Sequence, residues 1–339
     1  MPMMNGRIKK YQQGLSLIEL MISLVIGLLL TAAVLQTFIS SRITYSVQTE
    51  LAKLQENARF AMTYLRKDFR AAGYIGCKPY AYYEGNVASV LGSDLDGVSN
   101  DWFTPYIMTD NTFPTSDSIR VRYTQSANSC RMKDLLSDSD GYYFECKAPH
   151  VFQQGDTLVA VDCKHLAVFN MTNENPKFDQ TVVRHAASNG NCVTGLGKNS
   201  TCDTPALSEA YSGWAEETVV QRLSSYHYTI GTSFGQPVLK RGSLDLIEGV
   251  ENMQIDLGID TDDDNNANCF AADPTDCGGT ADDVVSVRIS LLMVSLEDNI
   301  IDARPSNEFS GTAFAGYTPS DRKLRKVVVS TITLRNRLI

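Results

Sequence analysis

The sequence has no surplus of basic charge. Among 339 residues, 39 Asp and Glu outnumber 30 Lys and Arg, giving a formal net charge of −9. General nucleic-acid binding needs a Lys/Arg excess on some face, and the basic clusters at 7–10, 66–70 and 322–326 are each short. No C-x-x-C pair occurs among the 8 cysteines, so zinc and thioredoxin-like sites lose their usual spacing. Histidines are scarce at 4, and His150, His165 and His185 have neither an i, i+4 nor an H-E-x-x-H relation, which argues against a histidine metal site. With 43% apolar and 20% charged residues the chain is neither disordered nor collagen-like and is long enough to bury a core.

Two local absences matter more. No acidic residue precedes Glu19, and no charge of either sign lies between Leu20 and Ser41. Those 22 residues, as a helix rising about 1.5 Å per residue, span roughly 33 Å. A bilayer's hydrocarbon is about 30 Å thick, so the segment is long enough to cross it. Arg7, Lys9 and Lys10 precede it, and the rule for loop charges then puts the N-terminus in the cytoplasm and everything after Arg42 outside. Cys77, Cys130, Cys146, Cys163, Cys192, Cys202, Cys269 and Cys277 all fall on the outer side, where an even set reads as disulfides. Short separations favour Cys192–Cys202 and Cys269–Cys277; the partners of Cys77, Cys130, Cys146 and Cys163 are left open.

The apolar run is longer than that of a secretory signal and lacks a break at which cleavage would be harmless. Gly14 precedes it, followed by Leu15-Ser16-Leu17-Ile18-Glu19-Leu20. A basic leader, a glycine, and an apolar run with one carboxylate at its fifth position together resemble the class III leader of type IV pilins and type II secretion pseudopilins. The resemblance implies that prepilin peptidase cuts after Gly14 and methylates Leu15, leaving a mature chain of 325 residues with a side-chain balance of −12. Residues 1–14 are then leader, 15–41 a transmembrane and assembly helix, 42–73 the amphipathic half of the same helix, and 74–339 a disulfide-containing periplasmic head. Glu19 at the edge of hydrocarbon needs a partner. Its own helix dipole offers some compensation, and the resemblance implies pairing with the free amine of a neighbouring Leu15 during assembly. Many major pilins carry a proline within the apolar stretch; here there is none, and Gly27 is a softer point.

Beyond Thr44, apolar residues recur at Leu51, Leu54, Ala58, Ala61, Met62, Leu65, Phe69 and Ala72, with Lys53, Glu56, Arg59, Arg66 and Lys67 opposite. From Leu15 to Ala72 the predicted rod has 58 residues, roughly 87 Å at about 1.5 Å each, and Gly73 stops it. Residues 74–117 read as loop with short elements. Strand alternation is expected at 119–123, 157–161, 166–170, 219–230, 253–259, 285–293 and 327–335. A long helix followed by many strands, without βαβ alternation, predicts an α+β, pilin-like fold with the amphipathic half-helix on an antiparallel sheet. The Ile247-Glu248-Gly249-Val250-Glu251 segment, Met253-Gln254-Ile255, the acidic run after Gly258 and the two last strands resemble the C-terminal half of PilW-type minor pilins, which are similar to GspJ minor pseudopilins.

Two motifs invite chemistry. Gly231-Thr232-Ser233-Phe234-Gly235 fits the G-x-S-x-G elbow, but Pro237-Val238-Leu239 resumes as strand and no histidine follows His227, so a hairpin turn is expected and the chain is read as non-enzymatic. Asp260, Asp262 and Asp264 alternate as in a calcium-binding EF-hand loop. The match then fails, because Asn265 and Ala271 stand where Gly and Glu belong; a solvated tip clipped by Cys269–Cys277 is the favoured reading and calcium the alternative.

The function implied is that of a minor pilin in a priming or tip complex that initiates type IV pilus assembly and supports twitching motility, adhesion or DNA uptake. Its expected partners are other minor pilins, the major pilin, prepilin peptidase and the inner membrane, with no direct nucleic-acid contact. A GspJ-like pseudopilin at the tip of a type II secretion pseudopilus and a pilus-tip adhesin or ligand-binding head are the alternatives. Residues 78–240, outside the resemblance, are where a ligand-binding role would reside.

Overall fold

The protein is described from a computed structural model over residues 16–77, 83, 87–89, 91, 106–111, 113–138, 141–173, 181–196, 202, 214, 217–301 and 309–336. Gly14 and Leu15 lie outside the described residues.

One helix, α1 (Leu17–Ala71), runs unbroken for 55 residues, about 82 Å at ~1.5 Å per residue. Ser16 caps it by accepting the Glu19 N–H at 3.3 Å. No proline interrupts it, and it ends where Gly73 takes a φ of 73° just past the last turn. Leu54, Ala58, Ala61, Met62, Leu65 and Phe69 are buried, whereas Lys53, Glu56, Arg59, Arg66 and Lys67 are exposed, as their spacing predicts.

Among the described residues the head holds two sheets. The first comprises β1 (Val87–Ser89), β2 (Tyr106–Thr109), β3 (Ser118–Asp138), β4 (Gly141–Cys146), β5 (Thr157–Val161), β6 (Leu166–Asn170), β7 (Val182–His185), β8 (Val219–Ser233), β9 (Gln236–Arg241) and β10 (Leu244–Glu248). Its path is β1-β6-β5-β8-β3-β4-β7, with β2 on β3 and the β9–β10 pair on β8; only β1–β6 is parallel. The β3–β8 ladder shifts register between Gln125 and Cys130, and this break divides the core. On one side Ile119, Val121, Tyr123, Tyr228 and Leu239 pack with α1 and the second sheet. On the other, Met132, Phe144, Leu158, Phe169 and Val220 form a separate cluster.

The second sheet is antiparallel, ordered β12 (Cys269–Ala271), β11 (Val250–Ile259), β13 (Val284–Val294), β14 (Arg325–Thr333). Gly249 joins the two sheets. Its φ is 78°, a Cβ there would lie 2.8 Å from the Val294 carbonyl oxygen, and its own N–H donates to Pro237 O at 2.8 Å. A side chain at this crossing meets backbone, which cannot move aside. β3 extends well past the predicted 119–123, β8 runs three residues beyond the predicted 219–230, and β4, β7, β9, β10 and β12 complete the sheets.

Four disulfides link Cys77 to Cys163, Cys130 to Cys146, Cys192 to Cys202 and Cys269 to Cys277. The first ties the segment leaving α1 to the β5–β6 turn, and the second joins neighbouring strands β3 and β4.

Two acidic residues of α1 are buried, Glu50 and, deepest, Asp68. Asp68 is 1% exposed; it accepts the Tyr123 hydroxyl at 2.9 Å and the Tyr228 hydroxyl at 2.6 Å, and Arg241 Nη1 lies at 3.3 Å. The helix is thereby pinned to β3, β8 and β9. Burial, and then the Asp68 carboxylate itself, push both phenols far above their ordinary value, so they stay donors.

In the second cluster, the His185 ring is wholly buried and edge-on to Phe169 at 5.3 Å. Burial pushes its pKa down to about 4.

Two outcomes follow, both readable by thermal or urea unfolding of the full chain in detergent. Asp68→Ala strands two phenols and a guanidinium and should cost about 3–5 kcal/mol, whereas Asp68→Asn, which keeps an acceptor, should lose less. For His185 the unfolded state binds the extra proton, so its contribution is full above the unfolded pKa of about 6.5 and drains away as pH falls towards 4. His185→Phe should therefore gain on the wild type by up to about 3 kcal/mol between pH 7 and pH 4; a constant difference would show that the ring charges without penalty.

Candidate functional site

Ser16 and residues 17–45 of α1 pack against no other element among the described residues: every one is exposed, from Leu17 at 79% to Phe38 at 64% and Tyr45 at 72%. A contiguous apolar surface of this size does not stand in water. Three hydroxyls in the stretch are arranged to suit an apolar medium. Ser23 donates to Glu19 O at 2.6 Å, Thr31 to Gly27 O at 2.7 Å and Thr37 to Ala33 O at 3.0 Å. Each hydroxyl is satisfied one turn back within the helix, so none needs water. Gly27 is equally bare, with nothing within 4 Å of where a Cβ would stand.

Glu19 sits in the first turn, exposed, where the helix dipole favours its charge. Among the described residues no Lys or Arg forms an ion pair with it. The site is therefore an apolar rod with one carboxylate near its tip that has no basic side-chain partner among the described residues.

The acidic loop forms a separate cluster. One carboxylate oxygen from each of Asp260, Asp262 and Asp264 falls within 4.8 Å of the others. Asp260 is buried at the end of β11, and its oxygens accept the backbone N–H groups of Asp262 (3.2 Å), Asp264 (3.3 Å) and Asn265 (2.7 Å). Burial works against its charge, yet those donors hold its carboxyl below the usual range. Asp262 shifts upward, through desolvation and then the neighbouring Asp260 and Asp264. Asp260 thus shapes the turn, and only Asp262 and Asp264 project fully into solvent.

The other motifs serve structure. Gly231–Gly235 carries β8 directly into β9, with positive φ at Phe234 (49°) and Gly235 (79°) making the hairpin turn, so Ser233 lies on a strand-to-strand corner. His150 stacks on Phe152 at 4.9 Å, His165 Nδ1 lies 2.9 Å from Asp162, and His185 is in the core. The topology does not bring them together. Asp68, like the buried Glu50, is a polar residue that sequence reasoning missed; its signal was a carboxylate at i+3 from Leu65 on the apolar stripe, flanked by basic residues that drew it to the solvent face.

Residues 9–35 match the family described as the prokaryotic N-terminal methylation motif, and residues 226–336 match the family described as type IV pilus-assembly protein W. The first match contains Glu19 and the start of the bare helix; the second covers the end of β8, the β9–β10 pair and the second sheet. Together they are consistent with a PilW-family type IV minor pilin, whose α+β architecture of one long apolar helix and antiparallel sheets the chain shares. Residues 36–225, with six of the cysteines, lie outside both matches. No curated protein and no solved structure matches the chain.

For the acidic loop, calcium calorimetry on the full chain is decisive. Binding requires heat and a raised melting temperature at millimolar calcium or below, both abolished by Asp262→Asn with Asp264→Asn. A turn held by Asp260 alone gives neither.

Proposed function

We propose that this protein is a minor pilin of a priming or tip complex that initiates type IV pilus assembly, and that it is not an enzyme. The observation that carries the reading is the bare half of α1. Each large apolar side chain left in water forgoes about 1.5–3 kcal/mol, so residues 17–39 must lie first in a bilayer and then against other apolar helices. The basic residues before Glu19 orient the helix with its N-terminus in the cytoplasm and the head in the periplasm.

Passage from bilayer to a helix bundle gains little hydrophobic free energy, because lipid tails are as apolar as leucine. Glu19 supplies the asymmetry. An acidic group is unfavourable by about 2.5–3.5 kcal/mol at the bilayer centre and less near the interface, and it is relieved when a neighbouring subunit presents the amine of its Leu15. Removal of the leader after Gly14 creates that amine. The bulk of the head, a long helix bearing two sheets and four disulfides, supports a place at a tip and at low copy rather than along the shaft.

A GspJ-like role at the tip of a type II secretion pseudopilus uses the same helix physics and differs in its neighbours. The adhesin reading draws on residues 78–240, which the family matches leave largely uncovered; glycan or surface binding by the full-length protein would favour it.

Mass spectrometry of the protein from membranes should find it beginning at an N-methylated Leu15. Glu19→Ala should still be processed and inserted at wild-type level but fail to enter fibres, and incorporation at wild-type level would remove Glu19 from the assembly step.

A further inference from the structure

Among the described residues, the second sheet has one uncovered edge. β14 pairs with β13 through nine successive Cα partners, Ser286 with Thr333 to Val294 with Arg325, without a shift of register. The bonds flanking that ladder, Leu334 N to Val285 O at 2.9 Å and Ser295 N to Leu324 O at 2.8 Å, set its phase. Even-numbered residues of β14 exchange hydrogen bonds with β13, and the alternate residues of an antiparallel strand turn their N–H and C=O the other way. Val327, Val329, Thr331 and Thr333 therefore direct backbone donors and acceptors outward, and among the described residues no strand or loop backbone bonds to them.

Proteins usually blunt such an edge with lysine, proline or a bulge. Val327-Val328-Val329-Ser330-Thr331-Ile332-Thr333 has no charge, no proline and no bulge, and is β-branched at all but Ser330; left open, it is the kind of segment that aggregates. Val329 is 52% exposed. The opposite edge is different, since β12 has only three residues and is clipped by Cys269–Cys277.

A basic row runs beside the open edge. Arg59, Arg66 and Arg70 recur at i, i+7 and i+11 on one flank of α1, the flank from which Arg66 donates to Ser330 Oγ through Nε (3.2 Å) and Nη2 (2.9 Å). These three and Lys326 are exposed, and among the described residues none has a carboxylate partner. Arg325, by contrast, is buried and engaged by Glu251 and Asp321. In a chain of net charge −9 this is a local excess of unpaired positive charge.

We propose that β14 accepts by strand addition an extended, uncharged segment flanked by Asp or Glu from the head of a different subunit of the same assembly. Main-chain bonds to Val327, Val329, Thr331 and Thr333 supply the pairing, and the arginine row selects an acidic partner. A second copy of this chain is disfavoured, because two-fold pairing of β14 with itself sets one arginine row against another. The partner's identity as a pilin rests on the minor-pilin reading; the open edge does not.

The test places a photo-cross-linking residue at Thr331 of the full-length chain in cells that assemble the fibre. One adduct is expected, with a different leader-processed subunit, mapping to an uncharged extended segment next to Asp or Glu. Val329→Pro removes an outward N–H and leaves the β13 ladder intact, so the adduct should fall about tenfold or more while the melting temperature holds. Arg59→Glu with Arg66→Glu should lower it independently of any backbone change. No adduct, an adduct with a second copy of this chain, attachment to helical residues only, or undiminished yield from both variants while folded overturns the proposal. Finding Leu15 at the N-terminus of the same sample separates failure of the docking from failure of the minor-pilin reading.

Discussion

The core that joins the two sheets is organised around one buried stripe of α1. Leu54, Ala58, Ala61, Met62, Leu65 and Phe69 close a single apolar cluster to which both sheets contribute, so the helix is the element the two sheets share. Asp68 gives that packing a fixed register. A purely apolar stripe can slide along a sheet at small expense, whereas a carboxylate hydrogen-bonded to Tyr123 and Tyr228 has one acceptable position. Asn57 Nδ2, donating to Glu248 O at 3.2 Å, and Asn336 Nδ2, donating to Ala72 O at 3.0 Å, hold the same helix at two further points.

That rigidity matters because the other half of the helix has no partner among the described residues. A rod embedded in the head at one end and bare at the other transmits its position directly, with neither a proline nor a loop between the two halves. The apolar half and Glu19 define where the protein can reside; the anchored half defines where the head then stands. With the helix fixed against β13 and β14, the open edge of β14 and the arginines on the helix flank are presented together, beside the stalk.

The part of the head beyond the β3–β8 register break is built differently. It has its own core, which includes no residue of the helix stripe, and is braced by Cys130–Cys146 within β3–β4. Cys77–Cys163 joins the segment after α1 to the β5–β6 turn, where helix packing no longer reaches. A region that is covalently braced and separately packed can vary its surface without disturbing the helix, which agrees with its position outside the family matches.

The periodic features were legible because their signals are local. The uncharged run, the glycine and carboxylate before it, the i, i+3, i+4 stripe and the period-2 strands each depend on residues within one or two turns or a few pleats, and the sequence alone determined them. Asp68 could not be read, since a carboxylate between Lys67 and Arg70 looks like a solvent-facing charge until two tyrosines 55 and 160 residues away are folded onto it. The same holds for Cys77 with Cys163, for the joining of two sheets at Gly249, and for which strand is left at an edge. Hydrogen-bond partners across a sheet are chosen by topology, a property of the whole chain, and only the tertiary structure decided them.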